Sequence, residues 1–266
     1  MSERVNIEIA DHVATVTLSR ADKRNAVDFA MFDGLMGAAA TIADDKSVRA
    51  VVLHGDGPDF CAGIDISTFA GEGIGGTIGD RMKPRSPAGA NYYQGAAMCW
   101  RELPVPVIAA IQGSAFGAGF QIAMGADMRY GAPDTRMSIM EIKWGIIPDM
   151  SFTVTLPHLV REDRVRELCY TGRVVDAEEA RAFGLLTDLT DQPLERASQV
   201  AAEIAGKSPD AIRAIKRLVN STWRGDTATS LAMEAELQMA VMAGPNQKEA
   251  AMANFEKRPP AFRDPD

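Results

Sequence analysis

The sequence predicts an α/β fold, and three observations predict it. Short β-branched or apolar runs at Val5–Ile9, Val13–Leu18, Ala50–His54 and Val105–Ile111 alternate with stretches of helical periodicity. Two of these runs end in turns of small residues, Gly55 to Asp65 and Gly113 to Gly119. From Leu194 onward the pattern is almost wholly helical. Repeated strand-to-helix alternation favours a sheet with both faces covered. A length of 266 residues, 46% of them hydrophobic, is enough to bury a sizeable core. The natural division is a strand–helix region over 1–193 and a helical region over 194–266.

The first two runs, separated by Ala10, Asp11 and His12, read as a hairpin, so the sheet is expected to be mixed rather than purely parallel. The hairpin leads into a loop whose basic residues Arg20, Lys23 and Arg24 are followed by Asn25 and Ala26. That cluster is either a solvated turn or a place for one anion. Asp28 is suited to cap a helix carrying Phe32, Leu35, Met36, Ala39 and Ile42 at helical spacing. Ala50–His54 then forms a buried strand, completing one strand–helix–strand unit. Val105–Ile111 is the next strand. After it, Gly117-Ala118-Gly119 opens a short apolar helix through Met124, whose free amides and dipole favour negative charge.

Between Phe69 and Ala90 the composition shifts to Gly, Pro and charge, which reads as a mobile loop suited to act as a lid. Gly71–Gly76 matches GxGxxG in letters, but no strand precedes it and no helix opens on it, so dinucleotide binding is not supported. Tyr92, Tyr93 and Trp100 lie on the helix that follows. The C-terminal helices are expected at Leu194–Gly206, Pro209–Asn220, Thr227–Ala243 and Gln247–Lys257. Met233, Leu237, Met239, Ala240 and Met242 on the third must cover something apolar, either the core or another subunit.

Composition excludes several classes of function. A formal charge of −8, without basic patches, disfavours nucleic-acid binding. The N-terminal residues lack the pattern of a secretory signal and no window is apolar enough for a membrane span, so a cytoplasmic protein is expected. Cys61, Cys99 and Cys169 have no CxxC spacing, which argues against a disulfide framework or a zinc site. No GxSxG elbow or HExxH motif appears, so serine-hydrolase and metalloenzyme chemistry have no support and no metal is expected.

Four motifs, in order and spacing, resemble the crotonase superfamily, also called the enoyl-CoA hydratase/isomerase family. They are Phe60-Cys61-Ala62-Gly63-Ile64-Asp65, Pro106 to Gly113 with Gly117-Ala118-Gly119, Gly145-Ile146-Ile147-Pro148, and Thr171-Gly172-Arg173 with Ala177, Ala180, Gly184 and Leu185. The resemblance spans most of the chain. It implies repeated ββα units, a helical C-terminal region that joins subunits and closes the site, assembly as homotrimers or hexamers, and action on acyl-CoA thioesters. Coenzyme A is then part of the substrate, and no separate cofactor is implied.

The same resemblance assigns roles by position. The backbone N–H groups of Ile64 and Ala118 match the pair that holds the thioester oxygen. Arg20, Lys23, Arg24 and Ala26, with Ala62 and Asp65, match the coenzyme A-binding segments. Phe255 and Lys257 resemble a C-terminal pair that reaches coenzyme A on a neighbouring subunit.

The acid–base pair is where the chain departs from the family's hydratases, which place glutamate at the positions of both Gln121 and Glu141. Glutamine does not titrate near neutral pH, so chemistry here runs through Glu141, alone or helped by Asp149. Glu141 alone matches double-bond isomerases, whereas Glu141 with Asp149 resembles dienoyl-CoA isomerases. Trp144, Met150 and Phe152 neighbour these acids in sequence and are candidates to wall them and raise their pKa values.

Overall fold

The computed structural model describes residues 3–67, 77–86, 88–157, 159–223, 225–242 and 244–265. Its strands are β1 (Val5–Ala10), β2 (Val13–Leu18), β3 (Ala50–Gly55), β4 (Val107–Ile111), β5 (Ser114–Phe116), β6 (Met128–Gly131), β7 (Arg136–Ser138) and β8 (Asp188–Leu189). A six-stranded sheet runs in the order β1-β2-β3-β4-β6-β8, with β5 and β7 forming a separate parallel pair. β1 and β2 are antiparallel, and every other neighbouring pair in the large sheet is parallel.

The expected hairpin forms, with Ala10 paired to Val13 across a two-residue turn. Asp11 and His12 both take positive φ, 48° and 67°. That is the turn whose twist matches the flanking strands, and Asp and His tolerate the left-handed conformation better than branched residues do.

The chain crosses from β2 to β3 through the helix Phe29–Asp44, whose first turn is capped as expected: the Asp28 side chain accepts from the Met31 N–H at 2.8 Å. The central strands are buried on both faces, and this is why they show no period-2 alternation. From β3 and β4, Val51, Leu53, Val107, Ala109 and Ile111 enter the main core with Phe32, Leu35 and Trp100. Their alternate neighbours Ala50, Val52, Ile108 and Ala110 pack on Ala197 and Ala201 of the helix Pro193–Ala205.

The remaining C-terminal helices are Pro209–Thr222, Thr227–Val241 and Pro245–Glu256, each within a few residues of expectation. Buried Lys216 fastens the first of them to the core, its Nζ donating to the carbonyls of Trp100 (3.0 Å) and Val105 (2.9 Å) and pairing with Asp127 at 2.8 Å. Of the apolar residues noted on Thr227–Val241, only Leu237 is buried within the chain, while Met239 and Met242 are exposed.

The span expected to be a loop contains a short helix, Thr77–Arg81, and the GxGxxG letters at Gly71–Gly76 lie outside the described residues. Among the described residues, no helix is long and apolar enough to cross a membrane and no cluster suited to a metal ion occurs.

Candidate active site

Glu141 opens a 3-10 turn, Glu141–Trp144, that follows β7, and its side chain is buried. Gln121 projects from the helix Ala118–Met124 and is also buried. The two meet: Gln121 Nε2 donates to Glu141 Oε1 at 2.6 Å, and the Met150 N–H donates to Gln121 Oε1 at 2.8 Å. Glu141 Oε2 is buried and makes no hydrogen bond among the described residues.

Burial pushes the Glu141 carboxyl above the ordinary glutamate range, and the negative charge of Asp149 adds to the rise. The Gln121 bond acts the other way. Half-buried Asp149 is likewise pushed up by burial. Its sequence neighbour Met150 is buried, but Trp144 is 60% exposed and cannot wall the acids within one chain.

The small-residue turns converge beside this pair. Cys61 bridges Ala115 in parallel, and a Cβ placed on Gly63 would stand 2.9 Å from the Phe116 carbonyl oxygen and 4.0 Å from the Ala118 nitrogen. Gly63 takes φ +101°, so the close approach and the conformation both demand glycine there. Ile64 bridges Val27, whose N–H donates to Gly63 O (2.8 Å) and whose carbonyl accepts from Asp65 N–H (2.9 Å). In a parallel bridge this pattern turns the N–H of Ile64 away from Val27.

Ala118 is the first residue of its helix, and Gly117 before it takes φ +51°, ψ −113°. Among the described residues, neither the Ile64 nor the Ala118 N–H donates to a backbone carbonyl. A Cβ on Gly117 would lie 3.6 Å from Glu141 Oε1. Two free amides on touching segments and one buried carboxylate therefore share a neighbourhood, which suits polarising a carbonyl and moving a proton beside it.

The basic loop divides in two. Arg20 is turned inward: its Nη1 donates to the Ala26 carbonyl at 2.9 Å, pairs with Asp65 at 2.7 Å and lies 3.5 Å from Asp28. Asp65 is thereby held by Arg20, and also accepts from the Ser67 side chain. Lys23 and Arg24 remain exposed, Arg24 lying 3.5 Å from Asp59. The Ala62 N–H donates to the Arg24 carbonyl at 2.9 Å, seating the loop on the segment before Ile64.

Sequence reasoning missed the loop's internal strut. Asn25 is fully buried, accepts from the Arg20 N–H and donates to the carbonyls of Asp56 and Asp59. An Asn at the end of a tight basic loop is the one available signal, since its amide satisfies backbone groups and it tolerates the observed φ of 54°.

Cys61 is inert by environment: burial pushes its thiol up to about 12. Phe255 is 89% exposed on the last helix, and Lys257 ends that helix in a left-handed conformation. Within one chain, neither makes a hydrogen bond or ion pair to the Gln121–Glu141 group among the described residues.

Comparison with known proteins converges on one group. The family model for enoyl-CoA hydratase/isomerase matches residues 8–265. YngF of Bacillus subtilis (strain 168) is 31% identical over 95% of each chain. The mitochondrial methylglutaconyl-CoA hydratase of Mus musculus is 29% identical over 94% of this chain and 79% of its own. The crystal structure of enoyl-CoA hydratase from Bacillus anthracis superposes with a TM-score of 0.89 at 30% identity, covering 97% of this chain and 98% of the other.

Proposed function

The chain belongs to the enoyl-CoA hydratase/isomerase family, and from that premise we propose that it is an acyl-CoA double-bond isomerase in which Glu141 carries the proton. The observation that supports this reading best is the Gln121–Glu141 hydrogen bond, 2.6 Å long, between one titratable and one non-titratable group.

The thioester oxygen of a 3-enoyl substrate accepts from the Ile64 and Ala118 N–H groups. Glu141 removes a proton from C2, the electron pair spreads through the thioester and the double bond, and the same carboxyl returns the proton at C4. A 2-enoyl thioester results, with no net gain or loss of atoms. Each oxyanion donor in such a site contributes roughly 2.7–4 kcal/mol of transition-state stabilisation.

Coenzyme A belongs to the substrate and no separate cofactor is needed. Lys23 and Arg24 face its phosphates, the backbone around Ala26 and Ala62 lines its path, and Arg20 with Asp65 holds that path in shape. Phe255 and Lys257 serve the site of a neighbouring subunit in a trimer or hexamer, and the protein works in the cytoplasm.

Two further readings have specific support. The relatives named above as hydratases favour addition of water to a 2-enoyl thioester. Asp149, whose charge is felt by Glu141, favours dienoyl isomerisation with the two acids at opposite ends of the diene.

The deciding experiment measures 3-enoyl to 2-enoyl conversion, hydration of 2-enoyl-CoA and deuterium uptake across a panel of enoyl and dienoyl thioesters. Isomerisation faster than hydration is expected. Efficient hydration without isomerisation would overturn the ranking.

A further inference from the structure

We propose that Gln121 is a positioning residue that decides which oxygen of Glu141 handles the proton, its amide occupying Oε1 and leaving Oε2 as the proton-carrying atom. This deepens the reading of Glu141 as proton carrier and rests on it.

The orientation of the amide follows from its partners. A main-chain N–H can only donate, so the Gln121 oxygen must face Met150, 2.8 Å away. The amide nitrogen is then left to face Glu141 Oε1 at 2.6 Å. A nitrogen carrying hydrogens cannot accept, so no proton can reside on Oε1 along that line. The oxygen that accepts an amide N–H is favoured as the carbonyl oxygen of the neutral acid, which assigns the hydroxyl of protonated Glu141 to Oε2, the buried oxygen with no hydrogen bond among the described residues. Uptake and return of the substrate proton therefore use one oxygen and one face of the acyl chain.

A carboxylate at position 121 would behave differently. It could accept from the Met150 N–H equally well, but would set two acceptors against each other at the Oε1 contact, forcing a shared proton and a coupled titration. The amide removes that conflict. The other titratable groups that bear on Glu141 are Asp149 from the loop after its turn and Cys169 from the helix Glu162–Thr171, whose thiol is pushed up by burial and by Glu141 itself. Lys143, on the same turn as Glu141, is exposed.

The deciding arm of the test needs no substrate. The Glu141 carboxyl stretch, assigned by its loss in Glu141→Gln, is titrated by infrared spectroscopy in the free wild-type protein, in Gln121→Met and in Gln121→Glu. Removing a donor to the ionised form in Gln121→Met is expected to raise the midpoint by about one pH unit. Turnover of the preferred enoyl thioester should show the same shift in its acid limb, with kcat lowered about tenfold and KM within about twofold. Gln121→Glu is expected to titrate in two steps.

An unmoved infrared midpoint in Gln121→Met, or a single unshifted step in Gln121→Glu, overturns the proposal even if activity falls. Gln121 would then only fill space. Absence of turnover on every enoyl thioester counts against the isomerase reading alone, because the infrared titration still reports on the pair.

Discussion

The Arg20 guanidinium reaches Asp65 at 2.7 Å and so ties the loop Arg20–Ala26 to the segment that carries Ile64. In the proposed reading, that ion pair joins the loop assigned to coenzyme A to the amide assigned to the thioester oxygen. Asp65→Asn, which keeps the shape and removes the charge, is expected to raise KM and lower kcat together. The stability loss at neutral pH should be about 1.5–3 kcal/mol, the range for a hydrogen bond to a charged group, read from urea unfolding. Ser67 first, and then Arg20, hold the Asp65 carboxyl below its ordinary range. The stabilisation is present above that range and is lost as pH falls through the depressed value, so the gap to wild type should close in acid.

Glu141→Gln should abolish turnover while making the protein more stable at neutral pH. The Glu141 carboxyl is raised in the folded state, chiefly by burial. A raised carboxyl binds its proton more tightly folded than unfolded, so its stabilising contribution is full below the unfolded value and lost as pH rises through the folded one. A thermal melt at pH 7.5 should show the variant above wild type, the two converging near pH 4. A variant that melts lower throughout would contradict this.

Asp149→Asn separates two chemistries. If Glu141 alone shuttles the proton for a mono-unsaturated acyl chain, the substitution should leave that reaction within about threefold of wild type and cut dienoyl isomerisation at least tenfold. Steady-state rates on the two substrate classes measure it. Equal damage to both would show that Asp149 belongs to the common step.

Gly117→Ala should cost both stability and activity. Gly117 adopts φ +51°, ψ −113°, a region closed to residues with a side chain, just before the amide of Ala118. The strain is about 1–3 kcal/mol, and relief by a peptide rotation would swing the Ala118 N–H off its target. Urea unfolding gives the first effect. A fall in kcat with little change in KM gives the second.

The central architecture was legible because two-sided burial leaves unbroken apolar runs, as in Ala50–Gly55 and Val107–Ile111, and because Asp28 and the helix-leading Pro209 are local signals, whereas Pro245 opens the last helix two residues before the expected start at Gln247. β6 and β8 were not. Met128–Gly131 contains the buried Arg129, whose guanidinium donates to the Leu185 and Ala126 carbonyls, and a charge inside a four-residue strand erases its pattern. The helix Glu162–Thr171 was hidden similarly by its density of charge. At the site, Glu141 and Gln121 stood out by position, but the Met150 N–H that orients Gln121 is a main-chain group. No side-chain identity advertises it.

The packing of Ala197 and Ala201 on Ala50, Val52, Ile108 and Ala110 carries a consequence for biosynthesis. One whole side of the central strands stays bare until a segment about ninety residues further along has left the ribosome, since helices emerge in chain order. During that interval the nascent chain presents a greasy plane to its surroundings. Chaperone engagement should therefore peak after the strand at Val107 has been made and fall away once Ala205 is free.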